Sequence, residues 1–390
     1  MDRDGEAKAR ASSAAELLVD LRQAGIDLRT EEGDLRYSAR KGQLTPALLD
    51  ALRTHKREIL ALIAAQGAAR LGPASPAQEG LWLLAQLTPG NAFYNYALSA
   101  HITGPLDVAR LERALGRLVS RHEALRTRIE TVEGIPVQVV DPPRPVQLRV
   151  QALSRADLAG RLQILGAYPF DLACEPLFKV ELFNVGSKAH VLGVVMHHIV
   201  SDAWSQSLFI REVAALYAAL ADGYASALPE LSAQYLDYAG WERARLARTG
   251  PAQLAYWRGQ LAGAPAALEL PTDRPRPASP SFQGAATPVG LSQTLSVKLT
   301  RLAHGQGATL FMVLLAGFQA VLSRWSGQED IVVGSPVSRR QRPEFEPLIG
   351  LFINTLALRT DLSGDPSFTE LVGRVRETAL GAYAHQDLPF

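Results

Sequence analysis

His197, His198 and Asp202, in the run Met196-His197-His198-Ile199-Val200-Ser201-Asp202-Ala203-Trp204-Ser205, are the residues of this chain best suited to chemistry. Imidazole changes charge nearest neutral pH, so it can take a proton from a reacting group. A buried carboxylate beside it demands a charged partner. Together they suit acyl transfer. The preceding run His190-Val191-Leu192-Gly193-Val194-Val195-Met196 is apolar and β-rich, which predicts a strand. Side chains alternate across a strand, so the two histidines are expected on opposite faces, and only one can serve a given cavity. That divergence, with no further ligand cluster nearby, argues against a metal held by His197, His198 and Asp202. Ser201 or Asp202 can cap the next helix, whose Phe209, Val213, Leu216, Tyr217 and Leu220 share a face before Gly223 stops it.

The elements that must position this run are legible around it. Asp107 is placed to cap a helix with Val108, Leu111, Leu115, Leu118 and Val119 inward, and a strand is expected from Leu125 to Ile129. The proline-rich stretch Leu270 to Pro280 reads as a semi-rigid connector between two halves of mixed strands and helices. Beyond it Leu291 to Leu322 is expected to be largely helical, with strands at Ile331 to Gly334 and Leu356 to Arg359. Near the start, Ala14 to Ala24 predicts a short helix. Ile26 to Arg29 and Leu35 to Ala39 predict a β-hairpin. Two more helices follow, one opening at Thr45-Pro46 and one carrying Ile59, Leu60 and Leu62.

The run HHxxxDxxS resembles the core motif of condensation domains of nonribosomal peptide synthetases, relatives of chloramphenicol acetyltransferase. Other motifs of that family stand in its order. Ser75-Pro76-Ala77-Gln78-Glu79-Gly80-Leu81-Trp82 resembles S-x-A-Q-x-x-L-W, and Arg121 to Thr127 resembles R-H-E-x-L-R-T. Tyr235 to Trp241 resembles Y-x-D-Y-A-x-W, Ile349 to Thr355 resembles I-G-x-F-x-N-T, and His385 to Phe390 resembles H-Q-D-x-P-F. Ala203 departs from the family's usual glycine and is expected to narrow the site slightly. Gly80 stands where many members have arginine. The αββαα pattern of residues 13–64 is similar to the small N-terminal docking domains of tubulysin-type synthetases.

The resemblance implies an α/β (α+β) fold: a small αββαα docking domain, then two chloramphenicol acetyltransferase-like lobes in a V-shaped pseudo-dimer around a tunnel. The expected division is a disordered 1–12, a docking domain at 13–66, an N-terminal lobe at 67–268 and a C-terminal lobe at 269–390. Because the chain stops inside the sixth motif, the second lobe is expected to be incomplete and activity of the chain alone is in question. The implied reaction is amide bond formation between a donor acyl or peptidyl thioester and an acceptor aminoacyl thioester. Both ride on 4′-phosphopantetheine of carrier proteins, and the domain itself needs no cofactor or metal.

In that reading His198 is the catalytic residue, accepting the amine proton or holding the amine by a hydrogen bond. His197 and Asp202 are structural, with Arg126 the candidate partner of Asp202. Ser205, Trp204 and Asn354 are candidates to line the tunnel. For Asn354, a core strand asparagine satisfied by backbone is the equal alternative, and for the tryptophans, core or lobe-interface packing. In the docking hairpin an edge receives the C-terminal tail of an upstream synthetase or polyketide synthase, and Arg29, Arg36, Tyr37, Arg40 and Lys41 can attract an acidic one. A downstream adenylation domain is a further implied partner. The competing readings are a non-catalytic docking and carrier-binding fragment and an epimerization domain.

Composition fits a globular chain and excludes other classes. With 390 residues, 47% hydrophobic and 20% charged, the chain can build sizeable cores. Lys+Arg 40 against Asp+Glu 39 leaves net charge +1, which argues against nucleic-acid binding. The single cysteine, Cys174, excludes an intramolecular disulfide and fits a reducing bacterial cytoplasm. No apolar run approaches the roughly 20 residues of a membrane helix.

Overall fold

Asp27–Glu31 (β1) and Asp34–Ser38 (β2) pair antiparallel with Leu28 opposite Tyr37 and Arg29 opposite Arg36, as the alternating sequence predicts. In the computed structural model the described residues are 17, 21, 26–31, 34–39, 44–56, 59–60, 70–132, 134–223, 228–275, 277 and 284–390. The expected helix at Ala14 to Ala24 falls largely outside them, as do Arg40, Lys41 and Leu62. Thr45 caps Pro46–Thr54 (α1) by accepting from Leu48 N at 3.2 Å, with Pro46 at the first helical position.

The hairpin does not stand apart. β1 also pairs with Arg70–Pro73 (β3), Leu28 opposite Leu71 and Arg29 opposite Arg70. With Thr127–Val132 (β5) and Ile135–Val140 (β6), defined below, the order is β2-β1-β3-β6-β5. Leu17, Leu21, Ile26, Leu28, Leu52 and Ile59 share one core with Leu71, Val137 and Val139.

Pro76–Leu87 (α2) opens on a capping box in which Ser75 and Gln78 satisfy each other's backbone N–H. Asn95–Thr103 (β4) follows, then Val108–Arg121 (α3), capped by Asp107 and burying Leu111, Ala114, Leu115, Leu118 and Val119. Glu123–Arg126 makes a 3-10 turn before β5, so that strand starts two residues later than Leu125. β6, Arg149–Ala152 (β7), Arg155–Gly166 (α4), Phe178–Gly186 (β8) and Ala189–His197 (β9) come next.

A second sheet runs β4-β9-β8-β7. β9 is central and covered on both faces, which is why its sequence is a continuous apolar run. A Cβ at Gly193 would meet Leu165 at 2.9 Å and Leu162 at 3.0 Å, so glycine lets α4 lie close on the sheet. Ala203–Ala221 (α5) buries Leu208, Phe209, Val213 and Leu216.

Tyr235–Leu261 (α6) carries the chain from a first unit, Met1–Ala247 with Arg340–Phe352, to a second, Arg248–Arg339 with Ile353–Phe390. The sequence suggests one change of lobe near residue 269, whereas these units exchange chain between 247 and 248, 339 and 340, and 352 and 353. In the second unit Gln293–Gly305 (α7), Leu310–Ser326 (α8) and Phe368–Ala384 (α9) accompany one antiparallel pair, Asp330–Ser338 (β10) and Ile353–Asp361 (β11). Its core includes Val313, Ala316, Ile331, Leu356, Leu358, Val372 and Val375. Among the described residues no single helix is long and apolar enough to cross a membrane.

Candidate active site

His197 ends β9 and His198 opens a 3-10 turn, His198–Val200, so the backbone diverges between them. His198 N donates to Tyr94 O at 2.7 Å and Ser201 N donates to His198 O at 3.2 Å, which pins the residue from both sides. Its Nδ1 lies 2.6 Å from the Ser201 carbonyl oxygen. A carbonyl only accepts, so Nδ1 carries the proton and the neutral ring keeps its lone pair on Nε2. Tyr96 of β4 meets this ring edge-on, centroids 4.5 Å apart. Burial, then the Asp202 charge, raise the Tyr96 pKa, so its hydroxyl stays protonated.

The turn is held from the opening motif. Gln78 Nε2 donates to Ile199 O at 3.0 Å, from a side chain wholly buried. His197, 3% exposed, accepts from Ile199 N through Nδ1 at 3.1 Å. Burial pushes its pKa down to about 4, with the His198 charge adding to the shift, so His197 is neutral at pH 7.

That depression has a sign for stability. An unfolded histidine takes up its proton near pH 6.5. Between about 6.5 and 4 the unfolded chain binds more protons, so stability falls as pH drops through that window, by about 3 kcal/mol in total. Above it His197 contributes no pH dependence. His122, whose pKa burial also lowers, acts in the same direction. Urea unfolding of the wild type and His197→Phe between pH 7.5 and 4 checks this: the variant's slope should be visibly flatter, and equal slopes would refute the assignment.

Asp202 caps α5 by accepting from Ser205 N at 2.7 Å. Its partner is Arg340, whose Nη2 lies 3.1 and 3.3 Å from the two carboxylate oxygens, and Phe352 N adds a bond at 3.1 Å. This corrects the expectation of Arg126, which donates instead to the Asp141 carbonyl oxygen at 2.5 Å and lies 3.6 Å from Glu123. Arg340 Nη1 donates to the carbonyls of Phe345 and Leu348 at 2.8 and 2.7 Å, and its guanidinium lies over the Phe352 ring. One arginine thus ties the Asp202 cap to the loop 340–352.

Ser205 is not a lining residue. Its hydroxyl is fully buried, bridging Asp202 and the backbone of Gly350 at 2.7 to 3.1 Å. Ala203 is exposed, at the first position of α5. Trp204, 52% exposed, donates its indole N–H to Glu346 O at 3.0 Å. Asn354 is occupied by backbone: its amide donates to Gln386 O and Leu388 O at 2.9 and 2.7 Å, and its oxygen accepts from Thr355 N and Phe390 N. The structural alternative describes it, and the lining role does not.

Gly350 is required by contact. Tyr235, 1% exposed, donates its hydroxyl to Leu351 O at 2.8 Å and therefore accepts from Ser75 Oγ at 2.9 Å. A Cβ at Gly350 would stand 2.6 Å from Cε2 of that ring. Gly350→Ala is expected to destabilise the first unit by about 3 kcal/mol, read as a lower urea midpoint; an unchanged midpoint would show the ring free to move.

Residues 69–390 match the condensation-domain family. The chain belongs to it. Residues 15–64 match the TubC N-terminal docking domain. A linear gramicidin synthase of Brevibacillus parabrevis is 48% identical over 326 residues, which are 82% of this chain and 6% of that protein. Phosphinothricin tripeptide synthetase PhsB of Streptomyces viridochromogenes is 42% identical over 320 residues, 80% of this chain and 27% of its own length. Among solved structures, the X-domain from teicoplanin biosynthesis is 34% identical with TM-score 0.76, covering 82% of this chain and 72% of its own. The first condensation domain of the CDA synthetase is 30% identical with TM-score 0.68, covering 81% and 77%. The fold is therefore the chloramphenicol acetyltransferase-like α/β fold of condensation domains, and the chain spans a small fraction of its curated relatives.

The remaining condensation-domain motifs bind elements together. His122 Nε2 donates to Glu212 at 2.8 Å, and Arg121 Nε donates to the same carboxylate oxygen at 3.1 Å. Glu123 pairs with Arg70 at 2.6 Å, and Arg70 with Asp237 at 2.8 Å, so Arg70 of β3 links two motifs. In the second unit His385 stacks on Tyr256 at 3.8 Å and Asp387 lies 3.5 Å from Arg339. Arg340, Tyr96 and the Gln78 contact were not found by sequence reasoning; the Arg339-Arg340 pair just after a strand was the available signal for the first.

Proposed function

We propose that this condensation domain forms an amide bond between a donor acyl or peptidyl thioester and the amine of an acceptor aminoacyl thioester, each on the 4′-phosphopantetheine of a carrier protein. Attack by the amine forms the C–N bond and, as the tetrahedral intermediate collapses, the C–S bond breaks. The nitrogen loses one proton and the departing thiolate gains one. The observation that carries the reading is the tautomer of His198: Nδ1–H is committed to Ser201 O, which leaves Nε2 to accept the amine proton. Thioesters are already activated, so positioning and proton removal are the work left to the protein. His198 is then catalytic, while His197 and Asp202 shape the turn that holds it.

The docking segment uses strand addition to recruit an upstream synthetase or polyketide synthase. β1 has neighbours on both edges, so addition is directed to the outer edge of β2, where Arg36 is exposed and Tyr37 is 46% exposed. Arg36, exposed on that edge strand, suits an acidic tail. A downstream adenylation domain and a cytoplasmic location complete the proposal.

The test is a condensation assay with loaded donor and acceptor carriers. Amide product formed in multiple turnovers is expected. No product, where a condensation domain of known activity turns over under the same conditions, overturns the reading.

A further inference from the structure

His198 is held at its backbone and at one ring nitrogen, and neither contact fixes the plane of the imidazole. Rotation about the Cβ–Cγ bond of a histidine is broad. A single bond from Nδ1 to the Ser201 carbonyl leaves the ring able to swing about the Nδ1···O line. What stops the swing comes from β4. Asn95 stands opposite His197 and Tyr96 opposite Met196, so the bond from His198 N to Tyr94 O carries the pairing one residue past β9. Tyr96 is then the diagonal neighbour of His198 on one face of the sheet, a spacing that aromatic side chains span. The two rings meet at 4.5 Å with 79° between their planes, the edge-to-face geometry that aromatic pairs prefer. Among the described residues no other aromatic ring meets His198, and none bonds to the Tyr96 hydroxyl. What Tyr96 does to His198 it does with its ring.

We propose that Tyr96 is a positioning residue for amide formation, whose ring sets the plane and thereby the tautomer of His198. The inference rests on the reading of His198 as the proton acceptor and acts through that residue. A perpendicular ring against the imidazole keeps Nδ1–H in line with Ser201 O, and so keeps the lone pair on Nε2. An aliphatic side chain in its place releases the plane, weakens the Nδ1 bond and lets the proton divide between the two nitrogens. An imidazole protonated on Nε2 cannot accept there. Its ring is also turned away from the amine, and a misplacement of about 1 Å at a reacting group costs on the order of 10²-fold.

Tyr96→Val removes the ring and keeps a strand-forming residue in β4, whereas Tyr96→Phe removes only the hydroxyl. In single-turnover assays of the full chain with loaded carriers, Tyr96→Val should be slower by roughly 10- to 10²-fold, in the rate at saturating acceptor carrier rather than in its KM. Tyr96→Phe should restore most of that loss. Nitrogen-15 spectra of histidine-labelled protein without substrate read the ring itself, the His198 signals being those missing from His198→Ala. Wild type and Tyr96→Phe should show a protonated Nδ1 and a bare Nε2, and Tyr96→Val should move both signals toward an averaged value. If circular dichroism shows Tyr96→Val unfolded, Tyr96→Leu replaces it. Unmoved nitrogens in the aliphatic variant would overturn the proposal whatever its rate. Averaged nitrogens at wild-type speed would also overturn it, since the plane of the ring would then not matter to the reaction. A Tyr96→Phe protein as slow as Tyr96→Val, with its nitrogens in place, would move the role from the ring to the hydroxyl, against the proposal. If the wild type forms no amide, the reading of the reaction falls, and the spectra still decide whether Tyr96 sets the tautomer.

Discussion

His198→Ala is expected to slow amide formation by roughly 10²- to 10⁴-fold, the usual contribution of a positioned proton acceptor. Loss of the bond to Ser201 O should cost about 1 kcal/mol of stability, too little to unfold the domain, so the rate effect reports on chemistry. His198→Gln separates two ways the ring can act. A glutamine amide can hold an amine by a hydrogen bond but cannot take its proton at neutral pH. If His198 is the proton acceptor, the glutamine variant should be about as slow as the alanine one; if it only orients the amine, much of the rate should survive. Single-turnover assays with loaded carriers measure all three proteins. A His198→Ala enzyme as fast as wild type would remove His198 from the reaction.

Arg340→Ala is expected to be the most damaging single change to the first unit, at about 3–5 kcal/mol. It leaves the Asp202 carboxylate, 1% exposed, buried without its counter-charge. It also strips donors from the carbonyls of Phe345 and Leu348. Arg340→Lys should recover part of the loss, because an ammonium keeps the charge but cannot span two carbonyls and a carboxylate as the planar guanidinium does. Asp202→Asn/Arg340→Leu should be more stable than Arg340→Ala alone, since it removes the stranded charge. Urea denaturation followed by circular dichroism measures the series, and a loss below about 1 kcal/mol for Arg340→Ala would show that Asp202 does not depend on this pair.

The elements around His198 were legible because their signals are local. A continuous apolar run marked β9, the pair Ser201-Asp202 marked the start of α5, where Asp202 proves to be the cap, and Thr45-Pro46 marked the start of α1. Arg126 was a reasonable partner for Asp202 by motif membership, but Arg340 lies 138 residues away in sequence from that carboxylate. Spacing along a strand or helix carries no information about such a pairing. Ser205 and Asn354 are polar residues inside motifs, which reads equally as lining or as backbone support. What decides between them is which carbonyls and N–H groups lie within 3 Å, and only the folded chain fixes that.

The pairing of β1 with β3 bears on recombination. A natural cut for exchanging the docking segment lies between residues 66 and 70, where motif and composition both suggest a seam. Such a cut removes the neighbour that β3 has on the edge opposite β6, exposing a bare backbone edge of the kind that recruits other chains. It also uncovers Leu71, Val137 and Val139. A transplanted segment therefore has to supply more than a tail-binding hairpin. It must present a strand in the register that sets Leu28 opposite Leu71, with apolar residues that close the same core. Chimeras joined at this seam should be judged first by solubility, since a mismatched strand would fail there before any specificity for an upstream synthetase could be measured.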